Sequence, residues 1–463
     1  ETLLLISSSS ITIDCFDTGY LLGDYSSGRN ENNADERVFF KIKTPGAKNS
    51  TGYDGYTKKP AFSQCGGMKT DEIYLTIESE EGAVIYYSLD GSYPDEGGSA
   101  SYLYTQPLII DGDSVVRAVA YKPGRLPSLC TTNTFIFERA HDIPVICLAT
   151  DPEGFFSSAR GIYADGYKHD VGPYPYFSSN YYWNVEREVS FEYYNADGTL
   201  GVAFDGGIQI AGAYSRALQQ KSLVVRLRDE YGLGEVDFPF FDTGTTVFKH
   251  LLLRNSGQDY FMTKMRDAYI LNCANDLGTV DTKRGTPVAV YINGEYWGFY
   301  NLRDKLNSDY FAIKYGYEDD VVINYLTQYS SPKSGSSDDW LELREFCYSH
   351  DFNIEENYEK LGEWVDIDAF IDYWIVQMVF SNRDSHNIDF WKADVEGAQW
   401  RPVLFDMDLA LLPNDVNLPA LHFGNGNLGY HDHVKDALVS SVFFKEEFLE
   451  RLSYVLTNIY TEE

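Results

Sequence analysis

Ser381-Asn382-Arg383-Asp384-Ser385-His386-Asn387, followed by Trp400-Arg401-Pro402-Val403-Leu404-Phe405-Asp406-Met407-Asp408, decides how the C-terminal half of this chain is read. The first stretch is a polar cluster between two apolar segments. The second reads as a strand that delivers two carboxylates on one face, because side chains two apart along a strand point the same way. Acid and amide side chains gathered in this way suit a hard divalent cation and a phosphate-bearing ligand. A solvated turn before an Asx-capped strand end has the same composition, so the assignment needs support from the rest of the chain.

Outward from that cluster, a buried helix is predicted over 367–380, and further helices over 309–315, 337–350, 353–361 and 441–460. Upstream the pattern changes. Strands are predicted at 143–148 and 249–253, a helix over 259–277, and a hairpin on Asn293-Gly294, the strongest short turn signal in the protein. A sheet-rich half followed by a helix-rich half, with the acids just beyond a buried helix, implies a two-lobed α+β domain with a cleft between its lobes.

The N-terminal third has a different character. Residues 1–52 read as short strands (2–7, 11–16, 38–43) between Gly, Asn, Ser and Asp turns, too little to hold a sandwich alone. Residues 53–138 alternate in a second all-β unit, with a turn at Leu89-Asp90-Gly91-Ser92. At 463 residues, about three domains are expected. The formal charge of −33 repels nucleic acid and anionic membranes and excludes both as main partners. No apolar run approaches a membrane span; 373–380 is a helix segment only. The six cysteines show no zinc spacing, and one or two pairs among them stay open. The 37 tyrosines suit contacts with sugars or proteins. Because it opens at Glu1 without Met or leader, the chain is expected to be a piece of a longer protein.

A glycine-bearing strand and turn, Gly206-Gly207-Ile208-Gln209-Ile210-Ala211-Gly212-Ala213-Tyr214-Ser215-Arg216, precedes a strand opening Gln220-Lys221-Ser222. Glycines let backbone N–H groups approach phosphate oxygens, and a lysine on the next strand can add charge. By itself the pattern also fits an ordinary hairpin with a solvent-facing lysine.

Three resemblances organise these observations. Ser27-Gly28-Arg29, Phe39-Phe40-Lys41 and Thr44-Pro45-Gly46-Ala47 resemble the closing strands of a lamin-tail domain. Ile85-Tyr86-Tyr87-Ser88-Leu89-Asp90-Gly91-Ser92-Tyr93-Pro94 with Val116-Arg117-Ala118-Val119-Ala120-Tyr121 resembles the fibronectin-type-III-like domain at the C-terminal end of chitobiases, a spacer module. Gly212 with Ser215-Arg216, Gln220-Lys221-Ser222, the hairpin from Tyr291 to Asp304, Asn382 to Asn387, and Phe405-Asp406-Met407-Asp408 together resemble the spore coat protein H (CotH) kinase family. The implied organisation is a lamin-tail-like part (1–52), a chitobiase-type module (53–138) and a CotH kinase-like domain (139–463). The implied fold class is multidomain: N-terminal all-β immunoglobulin-like modules, then an α+β two-lobed atypical protein-kinase-like domain.

That resemblance implies transfer of the γ-phosphoryl group of ATP, with Mg²⁺ or Mn²⁺, to Ser or Thr of extracellular or cell-surface proteins. Asp384 and Lys221 would be catalytic. Gly212, Ser215, Arg216 and Lys221 would face the phosphates, with Arg303 and Asp304 at a hinge beside adenine. Asn387, Asp406 and Asp408 would hold the metal, Asp267 would pair with the lysine, and His386 would brace the loop. Asn387 lies three residues past Asp384, not the five of protein kinases, and position 304 is Asp where the family often has Glu. Two alternatives accompany this reading. Asp384 and Asp406 could act as a glycosidase pair, or the chain could be a non-catalytic pseudokinase in an adhesion protein, with cell-surface carbohydrate as a partner.

Overall fold

The computed structural model describes every residue except 1, 19–20, 22–24, 32, 34, 138–140, 243, 329, 385–386, 413–416, 424–432 and 462–463. His386 and the domain boundary expected at 138/139 therefore lie outside the described residues. The chain is multidomain, with β-sheets in its N-terminal part and mixed α/β structure towards its C-terminus. It divides into two compact units, Glu1–Phe238 with Pro287–Phe299, and Pro239–Thr286 with Tyr300–Glu463.

In the first unit, the described part of 1–52 forms two separate strand pairs, Thr2–Ile6 with Thr12–Asp17 and Ser26–Arg29 with Arg37–Phe40. No sandwich forms there among the described residues, and Leu3, Leu4, Leu5, Ile11 and Ile13 stay exposed. The next module carries a five-stranded sheet in the order Tyr102–Leu103, Val84–Ser88, Ser114–Tyr121, Thr131–Phe137, Gly67–Lys69. Leu75, Val116, Ala118, Ala120 and Phe135 are fully buried in its core.

A second sheet in this unit contains Val145–Ala149. That strand pairs antiparallel with Arg187–Tyr194 and parallel with Gly285–Ile292. Arg187–Tyr194 continues into Leu200–Ala211 and then Ser222–Arg226, each antiparallel to the last. Five consecutive buried residues in Val145–Ala149 explain the unbroken apolar run: neighbours cover both of its faces. Asn293 and Gly294 both adopt left-handed backbone, φ 52° and 84°, as the Asn-Gly signal requires.

The second unit is built on the helix Ile367–Val379, mostly apolar and buried from Ala369 to Gln377, with its one buried carboxylate, Asp372, paired with Arg451 at 2.7 Å. Asp366 caps its start by accepting from the Ala369 amide at 3.0 Å. Asp338–Ser349, Glu355–Trp364, His433–Ser440 and Val442–Asn458 surround it, and Phe370, Trp374, Trp400 and Phe444 share its core. A four-stranded sheet in the order Pro332–Ser334, Ile323–Thr327, Ile388–Ala393, Arg401–Leu404 lies alongside.

One predicted element is corrected. The helix expected over 259–277 is two pieces, a 3₁₀ turn Gly257–Phe261 and the helix Arg266–Asn275, separated where Lys264 turns left-handed at φ 57°. Asp259 breaks the run. Its buried carboxylate accepts the amides of Thr263, Met265 and Arg266, each at 3.1 Å, and pairs with the Arg266 guanidinium at 3.2 Å. The carboxylate thus caps the second piece from outside it. All six cysteines are free, and no helix among the described residues is long and apolar enough to cross a membrane.

Candidate functional site

The polar cluster begins where the central helix stops. Ser381 turns left-handed, φ 52°; its amide donates to Met378 O at 3.1 Å and that of Asn382 to Gln377 O at 2.9 Å. This is the bonding of a Schellman cap, with serine in the place glycine usually takes. Asn382, fully buried, then binds the loop to itself: its amide nitrogen donates to Gln377 Oε1 at 2.7 Å and to Asp384 O at 3.1 Å, and its Oδ1 accepts from Asp384 N at 3.2 Å. His422 reaches Asn382 O from the far side at 3.0 Å, and burial lowers the pKa of its ring.

Two adjacent strands bring the remaining groups together. Ile388 pairs with Leu404 in an antiparallel register, so Asn387 just before one strand lies beside the residues just after the other. There Asp406 takes a left-handed backbone, φ 59°, a conformation aspartate tolerates better than most residues. Asn387 Nδ2 then donates to both Asp384 Oδ2, at 2.9 Å, and Asp406 Oδ2, at 3.2 Å. Two carboxylates twenty-two residues apart thus converge on one amide.

The other oxygen of Asp406 belongs to Arg254, at the end of the strand His250–Arg254. Its Nη2 lies 2.6 Å from Asp406 Oδ1 and 2.5 Å from Asp408 Oδ2, and its Nε lies 3.3 Å from Asp267 Oδ2. Asp267 also pairs with buried Arg303 and accepts from the Met407 amide at 2.6 Å. Burial opposes ionisation of Asp267, but Arg303 and Arg254 overcome it and hold the carboxyl well below the usual range. Asp408 goes the other way. Burial first, then the charges of Asp267 and Asp406, push it up to about 8 against the pull of Arg254.

The expected phosphate-facing residues lie in the first unit. Gly212 has φ +100°, and a Cβ there would stand 2.5 Å from Ser215 Oγ, so only glycine fits this turn. Arg216 folds back on the turn, donating to Gly212 O at 2.7 Å, with its guanidinium 5.7 Å from the Tyr182 ring centre. Lys221 is buried. Its ammonium donates to Arg216 O at 2.8 Å and Leu218 O at 2.9 Å, and lies 4.1 Å from the Tyr181 ring centre. Burial lowers it to about 8, with Asp165 opposing.

Arg303 and Asp304, expected together at a hinge, point to opposite faces of the strand Glu295–Asp304. Arg303 meets Asp267 beside the acids, whereas Asp304 lines a cavity with Lys283.

The family model described as CotH kinase protein matches residues 208–463, more than half of the chain and all of the acid cluster. The chain belongs to the CotH kinase family. A second model, Fn3 associated, matches residues 75–135, over the five-stranded module. No curated protein matches the chain.

The donor set of this CotH domain fits a hard divalent cation. Asp384 and Asp406 bring carboxylate oxygens to one point, where the Asn387 amide nitrogen donates to both, and Asp408 Oδ1 is buried without a hydrogen-bond partner among the described residues. The linked groups are four carboxylates (Asp267, Asp384, Asp406, Asp408) and two guanidiniums, an excess of acids even with Asp408 pushed towards its neutral form. Among the described residues no three His, Cys, Asp or Glu side chains are grouped so that they could hold a metal ion.

Sequence reading overlooked Arg254, Asp259 and Arg266. Arg254 closes the apolar run Leu251-Leu252-Leu253, and a charge ending a buried strand was the available signal.

Proposed function

We propose that this CotH domain is an atypical protein kinase that transfers the γ-phosphoryl group of ATP to a Ser or Thr hydroxyl. The convergence of Asp384, Asn387 and Asp406 on one amide, inside the region matching the family, carries this reading. Asp384 orients the acceptor hydroxyl and takes its proton. Asn387 and Asp406 would hold Mg²⁺ or Mn²⁺, with Asp408 Oδ1 as the remaining donor. When bound, the metal offsets charge on the β and γ phosphates. Arg254 keeps Asp406 aimed: it occupies one oxygen, so the other faces Asn387. Arg303 secures Asp267, which in turn fixes the backbone at Met407 between the two site acids. Gly212, Ser215, Arg216 and Lys221 are assigned to the nucleotide phosphates. A secreted or cell-surface setting accompanies the β modules by analogy.

The test combines binding with transfer. ATP with Mg²⁺ at one hundred times its Kd stabilises the protein by about 2.7 kcal/mol, and γ-labelled ATP labels Ser or Thr of a protein acceptor. Stabilisation with no label moved, under either metal, assigns a pseudokinase. Neither stabilisation nor transfer overturns the nucleotide reading. No observation favours the glycosidase.

A further inference from the structure

A cavity of about 400 Å³ lies in the second unit, lined in part by Phe241, Phe248, Thr282, Lys283, Asp304 and Tyr310. It belongs to the face of the strand Glu295–Asp304 that Asp304 occupies, opposite the face from which Arg303 reaches Asp267. Lys283 is only 9% exposed, yet it has no hydrogen-bond or ion-pair partner among the described residues. The other cations of the lining are engaged, Lys314 by Asp281 at 2.8 Å and Arg284 by Asp276 at 3.1 Å. Thr282 Oγ1 is also buried without a partner.

An ammonium largely withdrawn from water with no protein partner is costly, and an anion brought in by a ligand removes that cost. The strain is visible in Lys283 itself: burial first, then Arg303 and Arg254, lower it to about 7 against the pull of Asp267 and Asp304. Among the described lining residues Lys283 is the one unpaired cation, and the wall also carries Asp304 and the exposed Asp242, so one negative charge suits the cavity and several do not. A triphosphate is therefore the wrong ligand for this place, which separates it from the acid cluster. Phe241 and Phe248 provide an apolar wall for the rest of a small molecule.

We propose that this cavity binds a small organic monoanion, its carboxylate on Lys283 and its apolar body against Phe241 and Phe248. This inference does not depend on kinase activity. The test uses calorimetric titration of the full chain with benzoate, its neutral analogue benzamide, and the dianion phenyl phosphate. Benzoate is expected to bind saturably and at least about tenfold more tightly than either of the others, the discrimination of one charge-assisted contact. Lys283→Met, which keeps the volume and loses the charge, is expected to weaken benzoate at least about tenfold and leave benzamide unchanged. The wild-type ratio needs no variant, so a misfolded Lys283→Met would not blunt the test. Absent benzoate binding, equal binding of benzamide, tighter binding of phenyl phosphate, or a folded Lys283→Met with wild-type affinity would each overturn the proposal.

Discussion

Buried charge is handled differently in the two units. In the first, Lys221 and Glu192 both hydrogen-bond to neutral groups. Lys221 has two backbone carbonyls and a tyrosine face; Glu192 has the Tyr194 hydroxyl at 2.6 Å and the Thr134 amide at 2.9 Å. Both drift towards neutrality, the lysine to about 8 and the glutamate up to about 7, with burial the largest cause in each. In the second unit Asp267 is just as buried but sits between two guanidiniums, and it is driven deeper into its ionised form. The difference teaches that burial alone neutralises a group, whereas burial beside a full opposite charge preserves it. A site that must present charge to a ligand needs the second arrangement, which Asp267 has; Asp408, with one guanidinium and two neighbouring acids, is instead pushed up to about 8.

The hardest test of that contrast is the acid cluster itself. Asp406→Ala removes the carboxylate shared by Arg254 and Asn387, and phosphoryl transfer should fall about a thousandfold or more, with the fold retained by circular dichroism. Wild-type rates in that variant would remove Asp406 from the site. Next in size, Asp267→Asn leaves two buried guanidiniums short of a charge and should cost about 3–5 kcal/mol in urea unfolding. A cost below about 1 kcal/mol would mean that the cluster behaves like an exposed ion pair. That contribution is present above the ordinary aspartate range and disappears as pH falls and the carboxyl protonates.

Glu192→Gln probes the other side of the contrast. Native Glu192 titrates near 7, against 4.5 for the ordinary side chain. Between those values the folded form binds a proton that the unfolded form has released, so wild-type stability falls as pH rises. The variant should lack that fall, a difference of about 3 kcal/mol between its stability profile and that of the wild type. Identical profiles would place the glutamate's titration elsewhere. The smallest expected effect is that of Lys221→Met, about a tenfold rise in KM for ATP, comparable to the loss of one charge-assisted contact. An unchanged KM with a lowered unfolding midpoint would make Lys221 purely architectural.

Much of the architecture was legible because it is periodic or punctuated locally. The helix predicted over 367–380 is observed as Ile367–Val379, and that over 337–350 as Asp338–Ser349, flanked by Ser337 and His350. The Asn293-Gly294 turn could be read because two successive left-handed residues demand such a pair. The helix expected over 259–277 failed for a reason its own periodicity cannot show: Asp259 folds onto later amides and ends the first turn early. Arg303 and Asp304 were grouped because they are neighbours in the chain, yet strand alternation sends them to different surroundings.

The sequence by itself determined which residue types stand together at the site, since Asp384, Asn387, Asp406 and Asp408 fall in two short stretches joined by one strand pair. Tertiary structure alone decided their charge partners. Arg254 is 152 residues from Asp406 and 154 from Asp408 in the chain. Coulomb attraction depends on distance in space and on how much water has been excluded, and neither quantity is written in the order of the residues.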